Sequence, residues 1–113
     1  MQIGIERREP WTLLHLSGDL DAEAGPLVYM EFRRALLQGE TRFLFNLQGV
    51  QLVDSAGLGV LVRCYRDARS RGGEIRLQDV PREIVTILEF TRLDALFRLE
   101  TAIGPGRFQE RAA

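Results

Sequence analysis

Between Phe43 and Gln78 the apolar pattern changes period twice. Phe43-Leu44-Phe45-Asn46-Leu47 is a dense apolar run, the kind buried on both faces of a central strand. From Ser55 to about Ser70, the residues Leu58, Leu61, Val62, Tyr65 and Ala68 recur at helical spacing. Gly72-Gly73 then closes the helix, since glycine reaches the left-handed C′ conformation without steric cost. Glu74-Ile75-Arg76-Leu77-Gln78 alternates as a strand. Strand, helix and strand in that order predict a crossover between parallel neighbours. A loop of about seven residues, ending in Val53-Asp54, is expected between the first strand and the helix.

The flanks extend this pattern. Ile3 and Ile5 alternate with polar neighbours, Arg7-Arg8-Glu9-Pro10 interrupts, and Trp11 to Leu16 resumes, which predicts an antiparallel hairpin. Ser17-Gly18-Asp19-Leu20-Asp21 breaks the second strand and offers Asp21 as a helix cap. The helix after it runs to about Gln38 and is closed by Gly39, with Val28, Phe32, Ala35 and Leu36 on its inner face. Pro26 is tolerated only in a first turn, so this helix either begins near Ala24 or opens irregularly. A third helix starts near Pro81 at N1, with Ile84, Val85 and Leu88 inward. A turn over Leu93–Phe97 and a short edge strand Arg98-Leu99-Glu100 follow. The expected fold is a single α/β domain over residues 1–103. Its mixed, mostly parallel sheet has four to five strands, the first antiparallel, with helices packed over it. Residues 104–113 are expected to form a flexible tail.

Composition excludes several classes. A chain of 113 residues holds one core. Fifteen basic against sixteen acidic residues leave a formal charge of −1, which argues against a direct nucleic-acid binder. No apolar run approaches the roughly 18 residues that a bilayer requires, and the N-terminus has no secretory pattern. Cys64 stands alone and cannot form an intramolecular disulfide. A soluble, cytoplasmic protein without membrane insertion is expected.

The candidate chemistry centres on Asp54-Ser55-Ala56-Gly57-Leu58-Gly59. A serine at a helix mouth is a good site for a phosphate, because the macrodipole and free N–H groups favour an anion. The N–H groups of Ala56 and Gly57 are the expected donors. Serine is equally a common helix cap, and the local motif leaves both readings open. Gly57 and Gly59 admit a close partner, or close helix–sheet packing. Asp54 as a general base for Ser55 is disfavoured, because adjacent side chains diverge. The only histidine, His15, points away from the flanking Leu14 and Leu16, and the glycine spacing of a nucleophile elbow is missing. An enzyme is not expected. Asp19 and Asp21 form an Asp-x-Asp pair, but capping explains Asp21 and no His or Cys cluster supports a metal. No phosphate-binding or dinucleotide glycine motif is present, so no cofactor is expected. Arg63, Arg66, Arg69 and Arg71 line the outward side of the Ser55 helix, a solvated face or one that steers an acidic partner or the phosphates of a kinase-bound nucleotide. Cys64 and Trp11 are expected in packing.

These segments, in this order and spacing, resemble the STAS domain, and in particular the stand-alone bacterial anti-sigma factor antagonists. Gly18-Asp19-Leu20-Asp21 matches the family's Gly-Glu-Leu-Asp loop, Phe43–Leu47 its central strand, and Val53 through Leu61 its signature loop and helix start. Gly72-Gly73 and Leu77 through Pro81 match the next turn and strand. The resemblance implies partner switching. The unphosphorylated antagonist binds an anti-sigma factor that is itself an ATP-binding, histidine-kinase-like serine kinase, and a sigma factor is freed. Phosphorylation of Ser55 ends the contact and a serine phosphatase resets it. It further implies a docking edge at one end of the sheet, made from Asp19, Asp21, Asp54, Ser55, Ala56, Gly57, Leu58 and Gly59, in a monomer or weak dimer. The alternative within the family is a non-phosphorylated accessory subunit of a lipid-trafficking ABC transport complex. Three departures stand out: Asp19 for glutamate, Arg92 where glycine is common, and a C-terminal helix shortened or lost before Gly104-Pro105-Gly106.

Overall fold

The computed structural model describes residues 1–100. The chain order is β1 (Gln2–Arg8), β2 (Trp11–Leu20), α1 (Gly25–Leu37), β3 (Arg42–Val53), α2 (Ser55–Ser70), β4 (Glu74–Gln78), α3 (Arg82–Phe90), a 3-10 turn (Leu93–Ala95) and β5 (Arg98–Glu100). One five-stranded sheet has the order β1-β2-β3-β4-β5. β1 runs antiparallel to β2, and every later pair is parallel. The expected hairpin, parallel strands and edge strand are therefore present. The expected tail, residues 104–113, lies outside the described residues, as does the expected domain boundary at 103.

Strands that follow one another in space as in sequence place all right-handed crossovers on the same face. The main core accordingly lies between one face of the sheet and the three helices. Leu14, Leu16, Phe43, Phe45, Ile75 and Leu77 meet Val28 and Phe32 of α1, Leu61, Cys64 and Ala68 of α2, and Ile84 and Leu88 of α3. Phe32 packs its ring against Phe43 and Phe45, at centroid distances of 4.7 and 6.1 Å. All four α1 positions expected inward are buried. The opposite sheet face carries a smaller cluster of Trp11, Leu13 and Leu44. Arg76 lies over the Trp11 ring there, 4.8 Å from its centroid.

Two expectations about strand ends are corrected. β2 does not break at Ser17 but continues through Leu20, and the seven-residue loop after Leu47 is the second half of β3. The β2–β3 ladder shifts register between His15 and Ser17 and again between Gly18 and Asp19, with an extra residue on β3 each time. Such bulges interrupt the two-residue alternation while preserving the pairing. Gly18, at φ +112°, and Gly49, where a Cβ would lie 2.9 Å from Ser17 Oγ, permit this twisted end.

The expected start of α1 near Ala24 holds, while two caps are corrected. α1 begins at Gly25 with Pro26 in its first turn, and Ala24, not Asp21, occupies the cap position. Asp21 instead caps the turn before it, its Oδ1 accepting from Glu23 N at 3.1 Å and Ala24 N at 3.0 Å. Pro81 is the N-cap of α3 rather than its first helical residue. At the other ends the glycine reading holds: Gly39 and Gly72 adopt φ of +100° and +75° after α1 and α2.

Candidate functional site

The long strand ends determine what meets what. Leu20 pairs with Val53 and Asp19 with Leu52, so β2 and β3 finish side by side at one pole of the sheet. Asp54 follows β3 directly, and its N–H donates to Leu20 O at 3.3 Å. α2 then starts with no intervening loop. Asp19, Asp21, Asp54 and Ser55 are thus carried to the same pole by adjacent parallel strands.

Asp54 is the N-cap of α2. Its backbone is extended (φ −102°, ψ −174°) and its Oδ1 accepts from Gly57 N at 2.9 Å. This decides one open reading and corrects one expectation. Ser55 is not the cap, and the Gly57 N–H is already engaged, so it is not a donor for a phosphate on Ser55. Ser55 is the first residue of the helix, exposed, and its Oγ has no hydrogen-bond partner among the described residues. The Ala56 N–H, in the unbonded first turn, is open in the same way. The hydroxyl is therefore free at the positive end of a 16-residue helix.

Gly57 decides the approach of that helix to the sheet. A Cβ there would lie 2.1 Å from Leu20 O, inside any tolerable contact, so only glycine lets α2 sit down on the end of β2. Gly57 is buried, whereas Gly59 is exposed with open space where its Cβ would be. Of the two functions open to these glycines, helix–sheet packing belongs to Gly57, and accessible surface belongs to Gly59. Leu58 is half-buried against the core, while Ala56 is exposed. Gly25 makes the matching approach between helices, since its Cβ would meet Val60 Cγ2 at 2.7 Å.

Carboxylates surround the pole. Asp19, Asp21 and Glu23 line a concavity of about 440 Å³ together with Met1, Ala24 and Leu27. Among the described residues no group of three or more His, Cys, Asp or Glu side chains is placed to hold a metal. His15 lies away from Ser55. It is exposed on β2, with Nε2 3.0 Å from Glu6 Oε1. Hydrogen bonds from His15 and Arg8 hold the Glu6 carboxyl below its ordinary range. Among the described residues, His15 is bound to Glu6 and Asp54 to a backbone N–H, so neither is aimed at Ser55 Oγ. Cys64 is buried, and desolvation pushes its thiol well above the ordinary range, as suits a packing residue.

Some features escape a reading of the sequence. Asn46, inside the apolar run, is a buried junction. Its Nδ2 donates to Gln78 Oε1 at 2.9 Å and Asp79 Oδ2 at 3.0 Å, and its Oδ1 accepts from Gln48 N at 3.0 Å. It ties β4 to the point where β3 begins its bulged extension toward Asp54. A polar residue flanked by buried apolar ones was the available signal. Arg63 is not simply solvated either. Its guanidinium lies 3.9 Å from the Tyr29 ring centroid, and Tyr29 Oη donates to Asp67 Oδ2 at 2.5 Å.

Residues 2–104 match the family model of the STAS domain. The chain belongs to the STAS family. Among its relatives, the anti-sigma F factor antagonist of Paenibacillus polymyxa is 29% identical over 94 residues, covering 82% of this chain and 80% of that protein. The anti-sigma-B factor antagonist of Bacillus subtilis (strain 168) is 22% identical over 93 residues, covering 82% and 84%. The anti-sigma factor antagonist SpoIIAA in its unphosphorylated form superposes with a TM-score of 0.82 at 19% identity, covering 98% of this chain and 96% of that one. The Bacillus SpoIIAA in its phosphorylated form gives 0.78 at 19% identity, covering 99% and 100%. This STAS domain therefore shares the fold of those antagonists. Among its described residues, no helix is long and apolar enough to cross a membrane.

Proposed function

We propose that this STAS protein is an anti-sigma factor antagonist, a regulatory binding protein whose docking pole carries a phosphorylation switch at Ser55. In this reading the unmodified chain presents Asp19, Asp21, Asp54 and the first turn of α2 to an anti-sigma factor with serine-kinase activity, and a sigma factor is released. The kinase transfers the γ-phosphoryl group of ATP to Ser55 Oγ, leaving ADP, and the modified pole lets go. A serine phosphatase restores the hydroxyl.

One observation carries the proposal. Asp54 takes over capping and leaves Ser55 exposed and unbonded at N1. A serine needed for capping would be protected from a kinase and structurally missed once modified. This one is neither. Phosphate adds about 1.5 to 2 negative charges at neutral pH, and the helix N-terminus favours such an anion by about 1 kcal/mol. The fold should tolerate it. The partner should not, because a dianion beside Asp19, Asp21 and Asp54 adds like-charge repulsion in a close-packed interface. The names of the relatives support the antagonist role, and the engagement of Asp54 by the Gly57 N–H supports a substrate serine over a catalytic one.

The test is incubation with the cognate anti-sigma factor and magnesium ATP, followed by intact and tandem mass spectrometry. One phosphate on Ser55, and none on Ser55→Ala, is the expected result. Phosphate on another residue with Ser55 untouched would sink the assignment.

A further inference from the structure

A groove runs between α1 and α2 on the flank of the molecule, starting beside Ala56. Its upper part, about 490 Å³, has an apolar floor and wall of Pro26, Tyr29, Met30 and Val60, with Arg33 and Arg63 at its side. Its lower part, about 200 Å³, continues past Tyr29 and Arg33 to Leu37 and Arg71. Met30 is 54% exposed and Leu37 57% exposed, seven positions apart on the same stripe of α1. Large apolar side chains so placed along a groove are the usual anchorage for an amphipathic helix.

The charge of the groove specifies the occupant. Three guanidiniums, Arg33, Arg63 and Arg71, face it, and among the described residues none has a carboxylate at ion-pair distance. Two carboxylates also line it, Asp21, which caps a turn, and Asp67, which accepts from Tyr29 Oη within the groove, so the three guanidiniums leave a positive excess. The Arg63 guanidinium lies over the Tyr29 ring, 3.9 Å from its centroid, and with no carboxylate partner among the described residues it can take a bidentate carboxylate. A basic groove in a chain of net charge −1 is a local feature, not the spill-over of a basic protein.

We infer that the α1–α2 groove is a second docking surface, which takes an amphipathic helix with carboxylates beside its apolar stripe from a partner protein. The groove parallels α2, about 24 Å long at 1.5 Å per residue, so a helix of about 16 residues fills it. Met30 and Leu37 anchor the apolar stripe, while Arg33, Arg63 and Arg71 pair with its acids. The surface requires nothing of the Ser55 hydroxyl, although its upper end shares Asp21 and Ala56 with the pole described above.

The experiment is selection from a phage-displayed library of random peptides of about 16 residues, panned on the wild-type chain. Counter-selection uses the double variant Met30→Glu, Arg33→Glu. Both positions are exposed, so the variant should keep its circular dichroism spectrum and melting temperature. Enriched peptides should carry Asp or Glu between apolar residues at helical spacing, and a synthetic representative should bind the variant about tenfold or more weakly. No enrichment, enrichment of basic peptides, or equal binding to the variant would overturn the inference. Because the readout is peptide binding to the flank, these failures leave the Ser55 assignment untouched, and failure of the kinase assay leaves the groove untouched.

Discussion

At the pole where β2 and β3 end, two adjacent residues divide the work. Asp54 closes the helix through its bond to Gly57 N, and Ser55 keeps its hydroxyl in solvent. Removing the cap by Asp54→Ala should cost about 1 kcal/mol, roughly a 5 °C fall in melting temperature for a domain of this size. Asp54→Ser should recover most of it, because serine caps as well as aspartate does. If Asp54→Ala melts like wild type, the cap assignment is wrong. Gly57 is less forgiving. An alanine Cβ 2.1 Å from Leu20 O forces α2 away from β2, and overpacking of this kind costs about 2–3 kcal/mol. Gly57→Ala should lower the melting temperature by roughly 10 °C in calorimetry and weaken partner binding, since Ser55 moves with the helix end. Gly59→Ala is the control: nothing lies within 4 Å of its Cβ position, and alanine is the better helix former, so stability should rise slightly.

The elements were legible where local chemistry decides them. Helical spacing gave both ends of α2 and all four inward positions of α1, because a single packed face imposes that period. Local rules failed where the tertiary ladder decides. The second halves of β2 and β3 lack clean alternation because bulges shift the register, so they read as loops although they are paired strands. The cap was ambiguous because aspartate and serine, both good caps, stand next to each other, and only backbone geometry separates them. Asn46 and the Tyr29–Arg63 contact depend on neighbours about thirty positions away in the chain, beyond any local pattern. The turn after α3 lies between these cases. Arg92, noted as a departure from a common glycine, holds φ +64°, a left-handed conformation that disfavours a Cβ. Arg92→Gly should therefore stabilise the domain by about 0.5–1 kcal/mol, read as a higher denaturation midpoint at unchanged m-value. A lower midpoint would mean that the arginine side chain contributes more than its backbone costs.

For the whole molecule the central question is whether stability and recognition are separable at Ser55. The β2 and β3 ends, Gly57 and the Asp54 cap build the pole without using the serine hydroxyl, so modification should change the surface and spare the core. Ser55→Asp places a carboxylate where the helix dipole favours one. Its melting temperature should therefore stay within about 2 °C of wild type, while anti-sigma factor binding falls about tenfold or more through repulsion from the carboxylates already present. Ser55→Ala should bind like wild type and persist in the complex when ATP is supplied. Salt offers an independent check, since repulsion between exposed charges is screened over about 8 Å at physiological ionic strength. Raising the salt should return part of the Ser55→Asp affinity and leave Ser55→Ala nearly unchanged. Equal salt responses would mean that the aspartate acts by shape rather than by charge. A Ser55→Asp chain that unfolds early would mean that the hydroxyl belongs to the fold, and the pole would then lack a switch independent of stability.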